Sequence, residues 1–224
     1  MRYIGQELDT FQHAARWKNY CKRHISHYLK REVLEVGAGT GTMTKVFQNS
    51  EITSWTCLEP DPKLCRQLAL NLKKLQGESS YSAIQGSLTH LPSDSKFDSI
   101  LYFDVLEHIQ DDQSEFQTAF NHLKNGGNLI VLAPAYPWLY SPFDEAIGHF
   151  RRYDKNSLKR LEAPGMKLVQ LYYLDSAGII LSLLNRFVVR AQKFKLSHIL
   201  FWDRIVVPIS QVTDKILGNK VGKS

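Results

Sequence analysis

Cysteine is scarce in this chain of 224 residues. Cys21, Cys57 and Cys65 are an odd number with no metal-ligand spacing, which excludes a disulfide framework and a cysteine metal site. Long apolar runs are missing too. The most apolar stretch, beginning at Ser176, meets Arg186 well short of the ~20 residues a membrane span needs. The opening MRYIGQELDTFQHAARW places acids and aromatics where a secretory leader needs a continuous apolar segment, so a cytoplasmic location is expected. Internal repeats and low-complexity segments are absent. What remains is an ordinary globular composition, expected to form one domain: 1–30 a leading helical segment, 31–173 a core, 174–224 a helical extension.

Acidic residues are the other shortage, but only near the C-terminus. From Ser176 onward eight bases (Arg186, Arg190, Lys193, Lys195, Arg204, Lys215, Lys220 and Lys223) face two acids, Asp203 and Asp214. The whole net charge of +6 therefore resides in this tail. Such a tail suits an anionic partner or simply a solvated helix face.

Strand and helix signals alternate along the rest. Strands are expected at 32–36, 54–59, 81–85, 97–103, 127–133 and 167–172, with helices at 42–48, 62–75, 106–109, 112–123 and 155–162. A helical segment, 9–30, precedes the first strand. The alternation predicts an α/β fold: a doubly wound, mostly parallel Rossmann-like sheet with helices on both faces. Asn125-Gly126-Gly127 and Ala163-Pro164-Gly165 supply turns before the last two strands.

In such a sheet the ligand lies beyond the carboxyl ends of the strands, so the turn after the first strand, GAGTGT at 37–42, is the place to look. Its spacing does not fit a dinucleotide fingerprint, because Thr42 or Thr44 stands where the third glycine belongs, and no Gly-Lys-Ser/Thr follows for a phosphate loop. Glu35, two residues before Gly37, disfavours a pyrophosphate and favours a cationic ammonium. Glu59 ends the second strand, 24 residues after Glu35, near the distance at which an acid takes both ribose hydroxyls. Ammonium, ribose and no phosphate describe S-adenosylmethionine.

The stretch VLEVGAGTGTMT with LEPD resembles the class I S-adenosylmethionine-dependent methyltransferases, whose E/D-x-G-x-G-x-G motif is matched by Glu35, Gly37, Gly39 and Gly41. FDSILYFDVLEHIQDD and HLKNGGNLIVLAP extend the likeness over most of 30–172. The resemblance implies that Glu35 orients the methionine ammonium, directly or through water. It implies that Gly37, Ala38, Gly39 and Gly41 line the cofactor and that Glu59, beside Pro60, holds the ribose. Adenine would meet Ser87, standing where the family has an acid, and the backbone of Leu88. Phe103, Asp104 and Val105 would close the pocket after strand four, with Asp104 also a catalytic candidate. His108 either packs near the cofactor or serves as a base or metal ligand beside Glu107; no resident metal is expected. The family's closing hairpin has no counterpart of full strand length after 172.

Methyl transfer needs an aligned nucleophile and, for oxygen or nitrogen, a proton acceptor. After strand five comes APAYPWLYSPFDEAIGHFRRYD, resembling a D-x-x-x-G-H-x-R-R-Y block of one bacterial subgroup, matched at Asp144, Gly148, His149, Arg151, Arg152 and Tyr153. His149 is the candidate general base, since histidine titrates near neutral pH. Arg151 is the candidate for an anion on the acceptor, and Arg152 is open between function and pairing with an acid such as Asp144. Tyr136, Trp138 and Tyr140 would form an apolar wall. Trp17 and Tyr20, on the leading helix, are lid candidates or sheet-edge packing.

The tail 176–193 is amphipathic, with Ile179, Ile180, Leu183, Leu184, Phe187 and Val188 on one face. It is expected to cover a pocket or a homodimer contact, or to lie peripherally on an anionic membrane. The function expected is methyl transfer to a small-molecule or lipid-linked acceptor, one that can carry an anionic group, with O-methylation favoured. The rivals are an RNA methyltransferase, against which stands the absence of a D/N-P-P-Y/F signature and hence of a nucleic-acid partner, and a non-catalytic cofactor-binding subunit.

Overall fold

The computed structural model describes residues 7–48 and 51–224. They form two compact units: residues 21–106 with 111–132, and residues 7–20 with 107–110 and 133–224.

The first unit is the sheet. Five strands, β1 (Arg31–Val36), β2 (Ile52–Glu59), β3 (Ser80–Gln85), β4 (Phe97–Phe103) and β5 (Leu123–Leu132), lie in the order β3-β2-β1-β4-β5, every pair parallel. The central strand shows why this works: Val33, Leu34, Glu35 and Val36 are all buried, as expected of a parallel strand covered on both faces. The chain reverses winding between β1 and β4, so the switch point falls at the glycine turn. β5 begins earlier than expected because the Asn-Gly-Gly turn is absorbed as an irregularity within it. Phe97 pairs with Leu123 but Ser99 with Asn128, and Gly126 takes a φ of 75°.

Short helices connect the strands. Helix α1 (Glu7–Phe11) and α2 (Ala15–Ile25) replace the single leading helix expected at 9–30, followed by a 3-10 turn, Ser26–Tyr28. Helix α3 (Thr42–Phe47) leaves the glycine turn, and α4 (Pro62–Leu72) is capped by Asp61, which accepts from Lys63 N at 2.7 Å and Leu64 N at 3.0 Å. Helix α5 (Asp112–Asn121) precedes β5.

The second unit corrects the expected sixth strand. Residues 167–172 form no strand. The backbone just beyond pairs instead with the last residues of the chain: Tyr173 N donates to Asn219 O, Leu174 N to Ser224 O and Lys223 N to Asp175 O. The Gly148–Tyr153 loop is held by Tyr153, whose backbone exchanges hydrogen bonds with Pro134 and Tyr136. Helices α6 (Pro142–Ala146) and α7 (Lys155–Arg160) flank this loop in sequence.

The tail folds as α8 (Gly178–Leu184), a π turn over Asn185–Val189, α9 (Leu196–Phe201), a second π turn over Trp202–Val206, and α10 (Val207–Ile216). The second π turn has a local cause. Pro208 has no N–H to continue the α ladder, and the helix widens so that Val207 N donates to Trp202 O, five residues back. Three buried carboxylates then organise the unit. Asp203 accepts from the backbone N–H groups of Arg16 and Trp17 at the start of α2. Asp214 accepts from the Tyr20 hydroxyl and from Asp175 N and Ser176 N just before α8, and Asp175 accepts from Trp202 Nε1 and the Ser210 hydroxyl. Helix N-termini carry unsatisfied donors and partial positive charge, which is what these acids neutralise.

Candidate functional site

The glycine turn is built so that three strand ends meet. Gly37 and Gly41 have φ of 67° and 81°, a region L side chains rarely adopt. A methyl on Gly37 would stand 2.6 Å from Val105 Cγ2, and one on Gly41 would stand 2.8 Å from Leu68 Cδ1. The β1 turn and the segment after β4 are thus in van der Waals contact. Glu59, at the end of β2, fastens the same turn: Oε2 accepts from Gly39 N at 2.8 Å and Oε1 from Asp61 N at 2.9 Å. Burial raises its pKa, and those two backbone donors partly offset the rise.

Glu35 is fully buried beneath this turn. Its Oε2 accepts from Thr44 Oγ1 at 2.6 Å and Trp55 Nε1 at 2.8 Å, with Cys57 Sγ at 3.9 Å. Desolvation raises the Glu35 pKa to about 7, against the lowering effect of those three bonds. Burial, reinforced by Glu35, also pushes the Cys57 thiol up. Trp55 and Cys57 were missed by sequence reasoning, although strand register points to them: Glu35 pairs with Cys57, and Trp55 lies two residues earlier on the same face.

Other expected residues fall as follows. Asp104 lies at the tip of β4, exposed, with a φ of 52° that is uncommon for a residue with a side chain. Its backbone N–H donates to Leu132 O. Phe103 and Val105 flank it, half-buried. Ser87 opens a 3-10 turn, its hydroxyl 3.0 Å from Thr89 Oγ1 and 3.2 Å from His90 Nδ1, while the Leu88 side chain is fully buried. Trp17 and Tyr20 are buried in the second unit, where Trp17 lies 5.5 Å from Trp202 between ring centroids and Tyr20 bonds Asp214.

The second cluster lies wholly in the second unit. His149 Nδ1 is 2.9 Å from Asp144 Oδ1, and Arg152 grips the same carboxylate with Nε on Oδ1 at 2.8 Å and Nη2 on Oδ2 at 2.9 Å. Burial alone would raise Asp144; the His149 hydrogen bond and the Arg152 charge outweigh it and hold the carboxyl well below the usual range. An ionised Asp144 fixes the tautomer, with Nδ1 donating and Nε2 left as the basic nitrogen. Nε2 lies 3.7 Å from Glu107 Oε1, and the His108 ring packs edge-on at 4.5 Å. Burial and the neighbouring His149 lower the His108 pKa to about 4, so it is neutral at pH 7. Glu107, His108 and His149 bring possible ligand atoms within 4.8 Å of one another, the group among the described residues that suits a small divalent ion. Arg151 donates to Gln110 O at 2.7 Å.

Residues 11–184 match a family described as a methyltransferase domain. The chain belongs to that family. Its methyltransferase domain is of the S-adenosylmethionine-dependent, Rossmann-like kind. The described residues fit that cofactor: a glycine-rich turn at the switch point, Glu35 buried beneath it and Glu59 at the end of β2. Among curated relatives, the demethylmenaquinone methyltransferase of Tropheryma whipplei (strain Twist) is 28% identical over 153 residues, 68% of this chain and 60% of that protein. The chain therefore spans less than two thirds of the curated relatives it matches. Among solved structures, the YcgJ protein of Bacillus subtilis superposes with a TM-score of 0.54 at 16% identity, covering 65% of each chain. A Bacillus halodurans protein gives a TM-score of 0.53 at 17% identity, over 64% of this methyltransferase domain's chain and 65% of its own. These two likenesses concern the fold.

Proposed function

We propose that this chain transfers a methyl group from S-adenosylmethionine to a small-molecule or lipid-linked acceptor, an oxygen atom favoured, with His149 as general base. One observation carries the reading: Asp144, clamped by Arg152, holds His149 in the tautomer whose Nε2 can take a proton. When bound, S-adenosylmethionine supplies an electrophilic sulfonium methyl. Glu35, the backbone of Gly37, Ala38, Gly39 and Gly41, and Glu59 would hold it, with Pro60, Ser87, Leu88, Phe103, Asp104 and Val105 around it. His149 removes the acceptor proton, a contribution of about 10²–10⁴ in rate. Arg151 meets an anionic group on the acceptor. Tyr136, stacked at 4.8 Å on Tyr173, and the half-exposed Trp138 offer ring surface for an apolar acceptor. A relative named for demethylmenaquinone supports a small apolar acceptor over RNA. On this reading the D-x-x-x-G-H-x-R-R-Y block marks one bacterial subgroup, and the enzyme works in the cytoplasm.

The test is methyl transfer to a panel of hydroxylated apolar acceptors by wild type and His149→Gln, with cofactor affinity measured calorimetrically in both. A fall in kcat of about 10² or more at unchanged cofactor affinity is expected. Equal kcat in the variant overturns the assignment of the base, and preference for NADH over S-adenosylmethionine overturns the whole reading.

A further inference from the structure

The C-terminal helical run is apolar on both faces: one is buried in the unit and the other is left outside. Between Phe201 and Ile216 its inward face buries Trp202, Val206 and Val207 together with Asp203, Ser210 and Asp214. Its outward face carries Phe201, Ile205, Ile209, Val212 and Ile216, exposed by 53%, 51%, 50%, 59% and 77%. A helix at a protein–water boundary ordinarily places polar side chains on its outward face, where this one has an apolar stripe. Beside the buried Trp202, Val206 and Val207, Asp203 caps α2 and Asp214 accepts from the backbone of Asp175 and Ser176 ahead of α8, and the remaining apolar residues are left outside. The same holds before the turn to α9, where Ile180, Leu184, Phe187, Val188 and Val189 are 47–71% exposed.

Charge identifies what covers this surface. Arg190, Lys193, Lys195, Arg204, Lys215 and Lys220 are exposed, while both acids of the 176–224 segment are buried. A symmetric second copy would set like patch against like patch, bringing bases to bases with no acid in the segment to offset them. No helix among the described residues is long and apolar enough to cross a membrane. Apolar side chains at interfacial depth with only cations among them match the surface of an anionic bilayer. We propose that the outward face of the 201–216 helix, with its flanking bases, docks the protein on anionic lipid membranes. The docking does not depend on the identity of the methyl acceptor.

The experiment is cosedimentation of the full chain with phosphatidylcholine vesicles with and without phosphatidylglycerol, at low and high salt. Wild type is expected to bind the anionic vesicles and lose binding as salt rises. The exposed pair Ile209→Ser/Val212→Ser should weaken that binding at least about tenfold, and Arg204→Glu/Lys215→Glu by roughly fivefold per base removed, more with the reversal. Circular dichroism and thermal melting check that both variants stay folded; if one pair does not, the other decides. Light scattering at the same protein concentration should report a monomer. Absence of vesicle binding overturns the proposal, as does equal binding to phosphatidylcholine alone. A homodimer that Ile209→Ser/Val212→Ser dissociates would also overturn it, assigning the face to a second copy.

Discussion

Glu35 sits where water does not reach, and three donors on one oxygen do not repay the lost hydration, so its pKa stands at about 7 instead of the ordinary 4.5. Two consequences follow by linkage. In the empty protein the folded state holds the proton more tightly than the unfolded chain. The resulting stability is fully present below pH 4.5 and is lost as pH rises through 7, a total of about 3 kcal/mol. A cationic ammonium reverses the preference, because it rewards the ionised carboxylate. If only that form binds, the competent fraction rises from about one in a hundred at pH 5 to one half at pH 7, and affinity for S-adenosylmethionine should strengthen roughly 50-fold. At pH 6 nearly one proton should leave the protein per cofactor bound. Calorimetry in two buffers of different ionisation enthalpy counts that proton, and Glu35→Gln supplies the control: its melting temperature should no longer fall between pH 5 and 7, and its weaker affinity should be flat over that range. A wild type that releases no proton, with the same pH profile as Glu35→Gln, would refute the reasoning.

Gly37→Ala adds a methyl 2.6 Å from Val105 at a φ of 67°, and should cost about 2 kcal/mol in thermal unfolding while weakening cofactor binding at least tenfold. Val105→Ala in the same chain should restore part of the stability; a fully stable single variant would remove the steric argument. Asp214→Ala deprives Tyr20, Asp175 and Ser176 of an acceptor, and urea titration should show a loss of about 3 kcal/mol or more; a loss within experimental error would show the cap to be dispensable. Exhaustive dialysis against a chelator should leave methyl transfer unchanged; loss restored by an added divalent ion would reassign Glu107, His108 and His149 as its ligands.

The cofactor side of this fold was legible because its signals are local. A buried V-L-E-V run, glycines at every second position and an acid ending the next strand each follow from what a parallel sheet and a bare turn require. The Asp144–Arg152 pair was half legible, open at first between function and pairing; the bidentate grip shows pairing, through which Arg152 steadies His149. The failures are all long-range. Residues 167–172 have strand-forming composition, yet the neighbouring backbone takes its hydrogen bonds from residues 219–224, some fifty positions away, which no window of sequence contains.

The tail is the most instructive case, because an amphipathic segment was legible at 176–193 while the facing of the 201–216 helix beyond it was not. Scales that rank Asp as outward and Ile as inward assume that water is the best partner an acid can find. Asp203 and Asp214 have a better one, the backbone donors of Arg16 and Trp17 at the start of α2 and of Asp175 and Ser176 ahead of α8, and each such bond to a charged group is worth more than its neutral counterpart. Once those acids turn inward, helix geometry carries Ile205, Ile209, Val212 and Ile216 to the opposite side, whatever their hydropathy. These acids, with Trp202, Val206 and Val207 buried beside them, set the facing of this helix, and the exposed apolar stripe is the consequence, left for a partner outside the chain to cover.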